Sequence, residues 1–204
     1  MRYLEFKEQL KDFVVFTPLD IKKTEADFDT RRLNEWQDKG YIKKIRRGFY
    51  IFSDLELTER MFFVISNKIY GPSYISFETA LSYYNLIPEG VYSITSATSK
   101  KTYGFSTTVA EFVYRKIKPE LMFGYNLVSF KNYNFKIAEI EKVLLDYLYI
   151  NPNLKTKEDF KGLRFNVDEF KEKSDQKKII RYLKIFNNKS LTKRVKILLN
   201  YVNA

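Results

Sequence analysis

Histidine and cysteine are both absent from this chain of 204 residues. Without thiols there are no disulfides, thiol redox centres or thiolate metal sites. Without imidazole there is no Ser-His-Asp triad, no Cys-His pair and no structural zinc site of the usual kind. Catalysis would have to rely on Mg²⁺ held by carboxylates or on a lysine nucleophile. The composition closes most of the common catalytic routes but does not exclude an enzyme, and we predict a protein that is not an enzyme and that uses no metal or other cofactor.

Long apolar runs are also missing, although 45% of the residues are hydrophobic and 17% are aromatic. No run approaches the roughly 20 residues that a membrane span needs. The N-terminal sequence has no apolar region of the kind found in signal peptides. These features predict a cytoplasmic protein without a membrane partner, and with enough apolar residues for one large domain or two smaller ones.

The formal net charge of +11 is concentrated in two segments. Residues 151–204 carry 14 Lys and Arg against 6 Asp and Glu, and no acidic residue follows Asp175. The second concentration lies in residues 31–47, with 7 basic residues against Glu35 and Asp38. Clustered cations of this kind predict a polyanion-binding protein, and the alternative is a solvated basic surface without a partner.

The first third of the chain predicts three helices followed by a hairpin. The apolar face of the first helix, over about residues 3–14, consists of Leu4, Leu10, Phe13 and Val14. Thr17 is the predicted N-cap of a second helix over residues 18–24. Asp29 is the predicted N-cap of a third helix, which Gly40 ends. Two strand-like runs around Arg46-Arg47-Gly48 complete the order, which is typical of a winged helix-turn-helix.

The sequence thus predicts an α+β protein with two domains. Residues 1–54 form the winged helix-turn-helix, and residues 55–204 form an α/β domain with a small mixed sheet and a basic helical end. Three or four strands are predicted in the second domain, over about residues 92–98, 101–105, 112–117 and 127–130. Helices are predicted over about residues 57–69, 76–84, 138–150, 167–173, 176–186 and 191–202.

A winged helix needs base-reading side chains on its third helix and cations on its hairpin. Arg31 suits a bidentate contact to guanine, and Asn34 suits one to adenine. Glu35 and Asp38 weaken this interpretation, because they lie on the same predicted face. The predicted DNA-contacting residues are Thr17, Thr30, Arg31, Arg32, Asn34, Lys43, Lys44, Arg46 and Arg47.

A second basic patch is predicted on the last two helices. Its members follow helical spacing opposite an apolar side, and they are Lys177, Lys178, Arg181, Lys184, Lys193, Arg194 and Lys196. A second contact to the DNA backbone is one interpretation. RNA binding, an acidic partner or a simple solvated surface would use the same charges.

Three motifs in this order resemble the AbiEi-type antitoxins, the regulator half of type IV toxin–antitoxin systems. The first combines Arg32, Leu33 and Trp36 with the run GYIKKIRRGFY at 40–50, and is similar to a winged-helix pattern ending in "rGxY". The second is YISFETAL at 74–81, similar to "yiS..tAL". The third is AEIEKVLLD at 138–146, similar to "A..EKallD".

This resemblance implies a repressor that binds inverted repeats of double-stranded DNA in its own promoter. It also implies a second domain that counters a nucleotidyltransferase toxin, with no direct complex assumed. The alternative hypothesis is a Mg²⁺-dependent nuclease or nucleic-acid-modifying enzyme that uses the winged helix to deliver its substrate.

Two polar groupings in the second domain invite a functional interpretation. The antitoxin motif supplies Glu141, Lys142 and Asp146, but polar flanks of an amphipathic helix explain them more simply. Glu169 and Lys171 have the E-x-K spacing of a metal-dependent nuclease. That site requires a strand and a further carboxylate, whereas the residues around Glu169 predict a capped helix.

Overall fold

The computed structural model describes residues 2–88, 90 and 92–203 of the chain. Its described part is mixed α+β. Helices come before, between and after the strands of a central mixed sheet along the chain. The helices are α1 (Tyr3–Leu10), α2 (Pro18–Thr24), α3 (Arg32–Asp38), α4 (Glu59–Ile69), α5 (Phe77–Tyr83), α6 (Ile140–Ile150), α7 (Lys157–Gly162), α8 (Val167–Lys173), α9 (Gln176–Phe186) and α10 (Lys189–Val202). The strands are β1 (Ile42–Arg46), β2 (Phe49–Phe52), β3 (Ser73–Ile75), β4 (Ser93–Thr98), β5 (Tyr103–Ser106), β6 (Glu111–Lys116), β7 (Tyr125–Phe130) and β8 (Tyr133–Ala138).

The first three helices and the hairpin β1–β2 occur in the predicted order, with α2 at its predicted bounds. The Thr17 hydroxyl accepts a hydrogen bond from the Asp20 amide, so Thr17 is the N-cap as predicted. The prediction for α1 was wrong at its end and for part of its apolar face. The helix stops at Leu10, and it buries Phe6 and Leu10, while Leu4 is 77% exposed.

The start of α3 also differs from the prediction. Asp29 does not cap the helix, because a turn precedes it and the helix begins only at Arg32. The Asp29 carboxylate accepts a hydrogen bond from the Arg31 amide at 2.9 Å, within that turn. Leu33 and Trp36 are buried on the inner side of α3, as the sequence pattern predicted.

The hairpin β1–β2 contributes apolar side chains to two separate clusters. Ile42, Tyr50 and Phe52 belong to a small N-terminal cluster of apolar side chains, which also includes Trp36. Ile45 belongs to the larger cluster around the central sheet, as does Ile51. The hairpin therefore connects the two cores, although the predicted boundary at residue 54 places it wholly in the first domain.

The central sheet has six strands in the order β5-β6-β4-β3-β8-β7. It is mixed, because β3 pairs parallel to β8 and β4 parallel to β6, while the other neighbours are antiparallel. The helices α4 and α5 pack on the sheet, and α6 contacts α5, α9 and α10. The elements β3, β8 and α7 were not predicted from the sequence. In the described residues, no helix has both the length and the apolar character that crossing a membrane requires.

Candidate nucleic-acid interface and buried polar cluster

The outer side of α3 presents polar side chains to solvent. Asn34 and Glu35 are exposed, and so is Asp38. Arg31, just before the helix, is 86% exposed and forms an ion pair with Asp29, whose carboxylate oxygen lies 2.8 Å from its Nη2. This hydrogen-bonded pairing lowers the pKa of Asp29. An exposed pair of this kind is weak, so an incoming phosphate or base edge can replace Asp29.

The other predicted DNA contacts in and beside α2 and α3 differ in exposure and in hydrogen bonding. Thr30 is exposed. Arg32 is half-buried, and its guanidinium lies over the Trp36 ring at 5.7 Å. The Thr17 hydroxyl is already engaged with Asp20, as acceptor from its amide and as donor to its carboxylate at 2.7 Å. Burial favours a raised pKa for Asp20, but the hydrogen bonds from Thr17 outweigh it and lower that pKa.

The hairpin supplies three exposed cations. Lys43 and Lys44 lie on β1, and Arg47 lies in the turn to β2. Helix α3 packs directly against β1. The helix that carries Asn34 and the strand that carries Lys43 and Lys44 are therefore neighbours in the fold.

Arg46 does not project from the hairpin tip, contrary to the prediction. Its Nη1 donates a hydrogen bond to the Ile69 carbonyl at 3.0 Å. Its guanidinium also lies over three aromatic rings, at 5.2 Å from Tyr70, 5.0 Å from Tyr103 and 5.5 Å from Phe105. Arg46 thus joins the hairpin to the edge strand of the central sheet and is not positioned as a phosphate contact.

The predicted second basic patch is divided by the structure. Arg194 is buried and donates to the carbonyls of Leu148 and Asn151, at the end of α6. It satisfies carbonyls that a helix end leaves unpaired, and is not part of the surface. Lys178 is mostly buried and pairs with Glu139 and Glu141, both at 3.1 Å. The members that remain exposed are Lys177, Arg181, Lys184, Lys193 and Lys196.

The three motif residues on α6 are buried. Lys142 and Asp146, one helical turn apart, form an ion pair with no exposed side-chain surface. The Tyr74 hydroxyl donates to the Asp146 carboxylate at 2.7 Å, and the Ser76 hydroxyl donates to the same oxygen at 2.9 Å. Glu141 accepts a hydrogen bond from the Asp175 amide and fixes the start of α9.

Burial shifts the pKa values of two members of this cluster, Lys142 and Tyr74. Desolvation lowers the pKa of Lys142, and the neighbouring Asp146 carboxylate opposes that effect. The pKa of Tyr74 is raised well above its ordinary value, by burial first and by Asp146 second. The Lys142 ammonium also lies within 5.2 Å of the Tyr74, Phe123 and Phe186 ring centres. With no exposed surface, Lys142 and Asp146 form a structural cluster and present no group to a substrate.

The cluster joins two of the sequence motifs in space. Tyr74 and Ser76 come from the second motif, and Lys142 and Asp146 come from the third. Lys142 and Asp146 were candidate site residues from the sequence, whereas Tyr74 and Ser76 were not. The sequence showed that these residues belong to two motifs, but it did not show which residues of the two motifs contact each other.

Gly124 packs against the same lysine. Its φ is +67°, and a Cβ there would lie 3.0 Å from Cε2 of Tyr182 and 3.2 Å from Cγ of Lys142. We therefore expect Gly124→Ala to lower the free energy of unfolding by about 2–3 kcal/mol, since backbone strain and overpacking add. Urea denaturation followed by circular dichroism measures this. Gly162→Ala is the control, because nothing lies within 4 Å of a Cβ there, and equal stability of the two variants would contradict the prediction.

The acidic residues do not form a metal centre in the described part of the chain. No group of three or more acidic side chains there could hold a metal ion. Glu169 and Lys171 lie on α8, a helix as the sequence predicted, and Glu169 forms an ion pair with Lys173 one turn later.

Comparison of the chain with models of known protein families finds no match, and comparison with curated protein sequences finds none either.

Proposed function

We propose that the chain is a sequence-specific DNA-binding regulator, in which α1–α3 and the hairpin β1–β2 act as a winged helix-turn-helix. The observation that carries the proposal is the set of exposed polar and basic side chains on two contacting elements, α3 with the turn before it and the hairpin β1–β2. It combines Arg31 and Asn34, which suit base edges, with Lys43, Lys44 and Arg47, which suit phosphates. All five side chains are exposed.

The acidic residues on these elements are compatible with DNA binding. Asp29 pairs with Arg31 in the free protein, and its exposure makes that pair easy to exchange. Glu35 and Asp38 are exposed on α3, where a carboxylate can accept a hydrogen bond from cytosine N4. Glu35 and Asp38 would make binding more selective for particular base sequences. At any site without a facing hydrogen-bond donor, their carboxylates repel the DNA phosphates and weaken binding.

The resemblance to AbiEi-type antitoxins extends this proposal to regulation. The protein would repress its own operon through inverted repeats, and its second domain would counter a nucleotidyltransferase toxin. Growth of cells that express a nucleotidyltransferase encoded beside this gene, with and without the protein, tests that part. Unchanged growth arrest in the presence of the protein would contradict the antitoxin role and leave the DNA-binding proposal standing.

Fluorescence anisotropy with DNA from upstream of the gene, beside a shuffled duplex, tests the DNA-binding proposal. We expect at least tenfold tighter binding to the native duplex, or about 1.4 kcal/mol, at two salt concentrations. Arg31→Ala should remove most of this preference, because the guanidinium is the group suited to guanine. Lys171→Ala removes one exposed positive charge from α8, and should leave the preference intact.

Equal affinity for the two duplexes, with a steep dependence on salt, would contradict the proposal. It would show binding to the backbone alone. Loss of preference in Lys171→Ala to the same extent as in Arg31→Ala would exclude α3 as the reading element.

A further inference from the structure

The C-terminal helices α9 and α10 enclose an open groove of about 480 Å³. Its floor is apolar, formed by Ile180 and Leu183 of α9 and by Leu199 of α10. Three lysines line it as well: Lys184 near the end of α9, and Lys189 and Lys196 along α10. The groove thus combines an apolar surface with positive charge.

Part of the apolar floor is accessible to a partner. Ile180 is 53% exposed, although α9 buries Ile179, Leu183 and Phe186 on its inner side. An isolated exposed aliphatic side chain is common on protein surfaces, but one that lines a concave apolar site is typical of an interaction surface. The core of this fold is complete without Ile180, so its exposure is available for binding.

The charges around the groove are not neutralised within the described residues. No acidic residue follows Asp175 in the sequence, and the ion pairs found in the structure include none of the three groove lysines. Lys178 shows the contrast, because it lies on the inner side of α9 and is held by Glu139 and Glu141. The groove lysines are therefore free to meet an anionic partner.

The apolar floor distinguishes between two anionic partners. A DNA or RNA backbone would satisfy the lysines, but it has no apolar groups to cover Ile180, Leu183 and Leu199. An amphipathic helix with acidic flanks satisfies both parts, since its apolar side chains at i, i+3 and i+4 fill the floor. Helix α10 has 14 residues and is about 21 Å long, enough to lie beside three to four turns of such a helix.

We infer that the groove between α9 and α10 binds an acidic amphipathic helix of a partner protein. This inference does not depend on DNA binding by the N-terminal domain. It differs from a second DNA contact because it requires the aliphatic floor as well as the lysines.

The test uses a fluorescent synthetic helix of about 15 residues, with leucine on one face and glutamate on both flanks. A second peptide of the same composition, scrambled to remove the apolar face, is the control for charge alone. We expect saturable binding of the amphipathic peptide to the full chain, and at least tenfold weaker binding of the scrambled one. Equal binding of the two peptides, or no binding of either, would overturn the inference.

Matched variants locate the site. Ile180→Asp and Lys196→Glu should each weaken binding of the amphipathic peptide at least tenfold. Ile185→Asp and Lys193→Glu make the same changes at exposed positions on the same helices outside the groove, and should weaken it less than threefold. Equal losses in all four variants would overturn the inference. Circular dichroism of the full chain confirms that each variant is folded.

The same variants decide between protein and nucleic acid. Binding of a shuffled DNA duplex should fall equally in Lys196→Glu and Lys193→Glu if the helices contact a phosphate backbone. If that result is accompanied by no peptide binding, the surface is a nucleic-acid contact and the inference is wrong.

Discussion

Replacement of Lys142 by methionine is expected to lower the free energy of unfolding by about 3–5 kcal/mol. The substitution keeps the volume and the apolar stem of the side chain, but it removes the charge that faces Asp146. The Asp146 carboxylate would then remain fully buried, with only the Tyr74 and Ser76 hydroxyls as partners. Two neutral donors do not compensate a buried charge. Urea denaturation followed by circular dichroism measures the loss.

The double variant Lys142→Met with Asp146→Asn separates the charge from the packing. The asparagine oxygen can still accept the hydrogen bonds from Tyr74 and Ser76, while no charge is left in the core. We expect this variant to regain most of the lost stability, because removing both members of a buried pair costs much less than removing one. A loss below about 1 kcal/mol in the single variant would contradict the prediction that removing one member of this buried pair is strongly destabilising.

The elements that the sequence predicted best are those with local signals. The bounds of α2, α8 and α9 agree with the predictions, and each helix begins after a residue whose side chain accepts a backbone hydrogen bond: Thr17, Asn166 and Asp175. In contrast, β3 is only three residues long and is fixed by its pairing with β4 and β8, far along the chain. Its residues carry too little periodicity to predict a strand.

The same distinction applies to the candidate sites. Leu33 and Trp36 set the orientation of α3, so the exposure of Asn34 followed from helical spacing alone. The partner of a basic side chain could not be predicted in this way, because charge and spacing do not reveal which distant group it contacts. Arg194 contacts carbonyls more than 40 residues earlier, and in sequence it looks like its exposed neighbour Lys193.

Replacement of the adjacent hairpin residues Arg46 and Arg47 should have very different effects on stability. Arg46→Ala should lower the free energy of unfolding by about 2–3 kcal/mol, since it removes a hydrogen bond from a charged group and three cation–π contacts at a partly exposed site. Arg47 is exposed in the turn, so Arg47→Ala should change stability by less than about 0.5 kcal/mol. Urea denaturation of the two variants in parallel measures the difference.

For DNA binding, we expect Arg47→Ala to have the larger effect and Arg46→Ala the smaller one. If Arg47 neutralises one phosphate, Arg47→Ala reduces the slope of log affinity against log salt by about 1. Arg46→Ala should leave that slope unchanged in conditions where the variant is folded, because its guanidinium is occupied by Ile69 and the aromatic rings. A stable Arg46→Ala variant with a reduced slope would contradict the structural assignment. If only Arg47→Ala reduces the slope, Arg46 fixes the hairpin to the central sheet and Arg47 contacts the DNA.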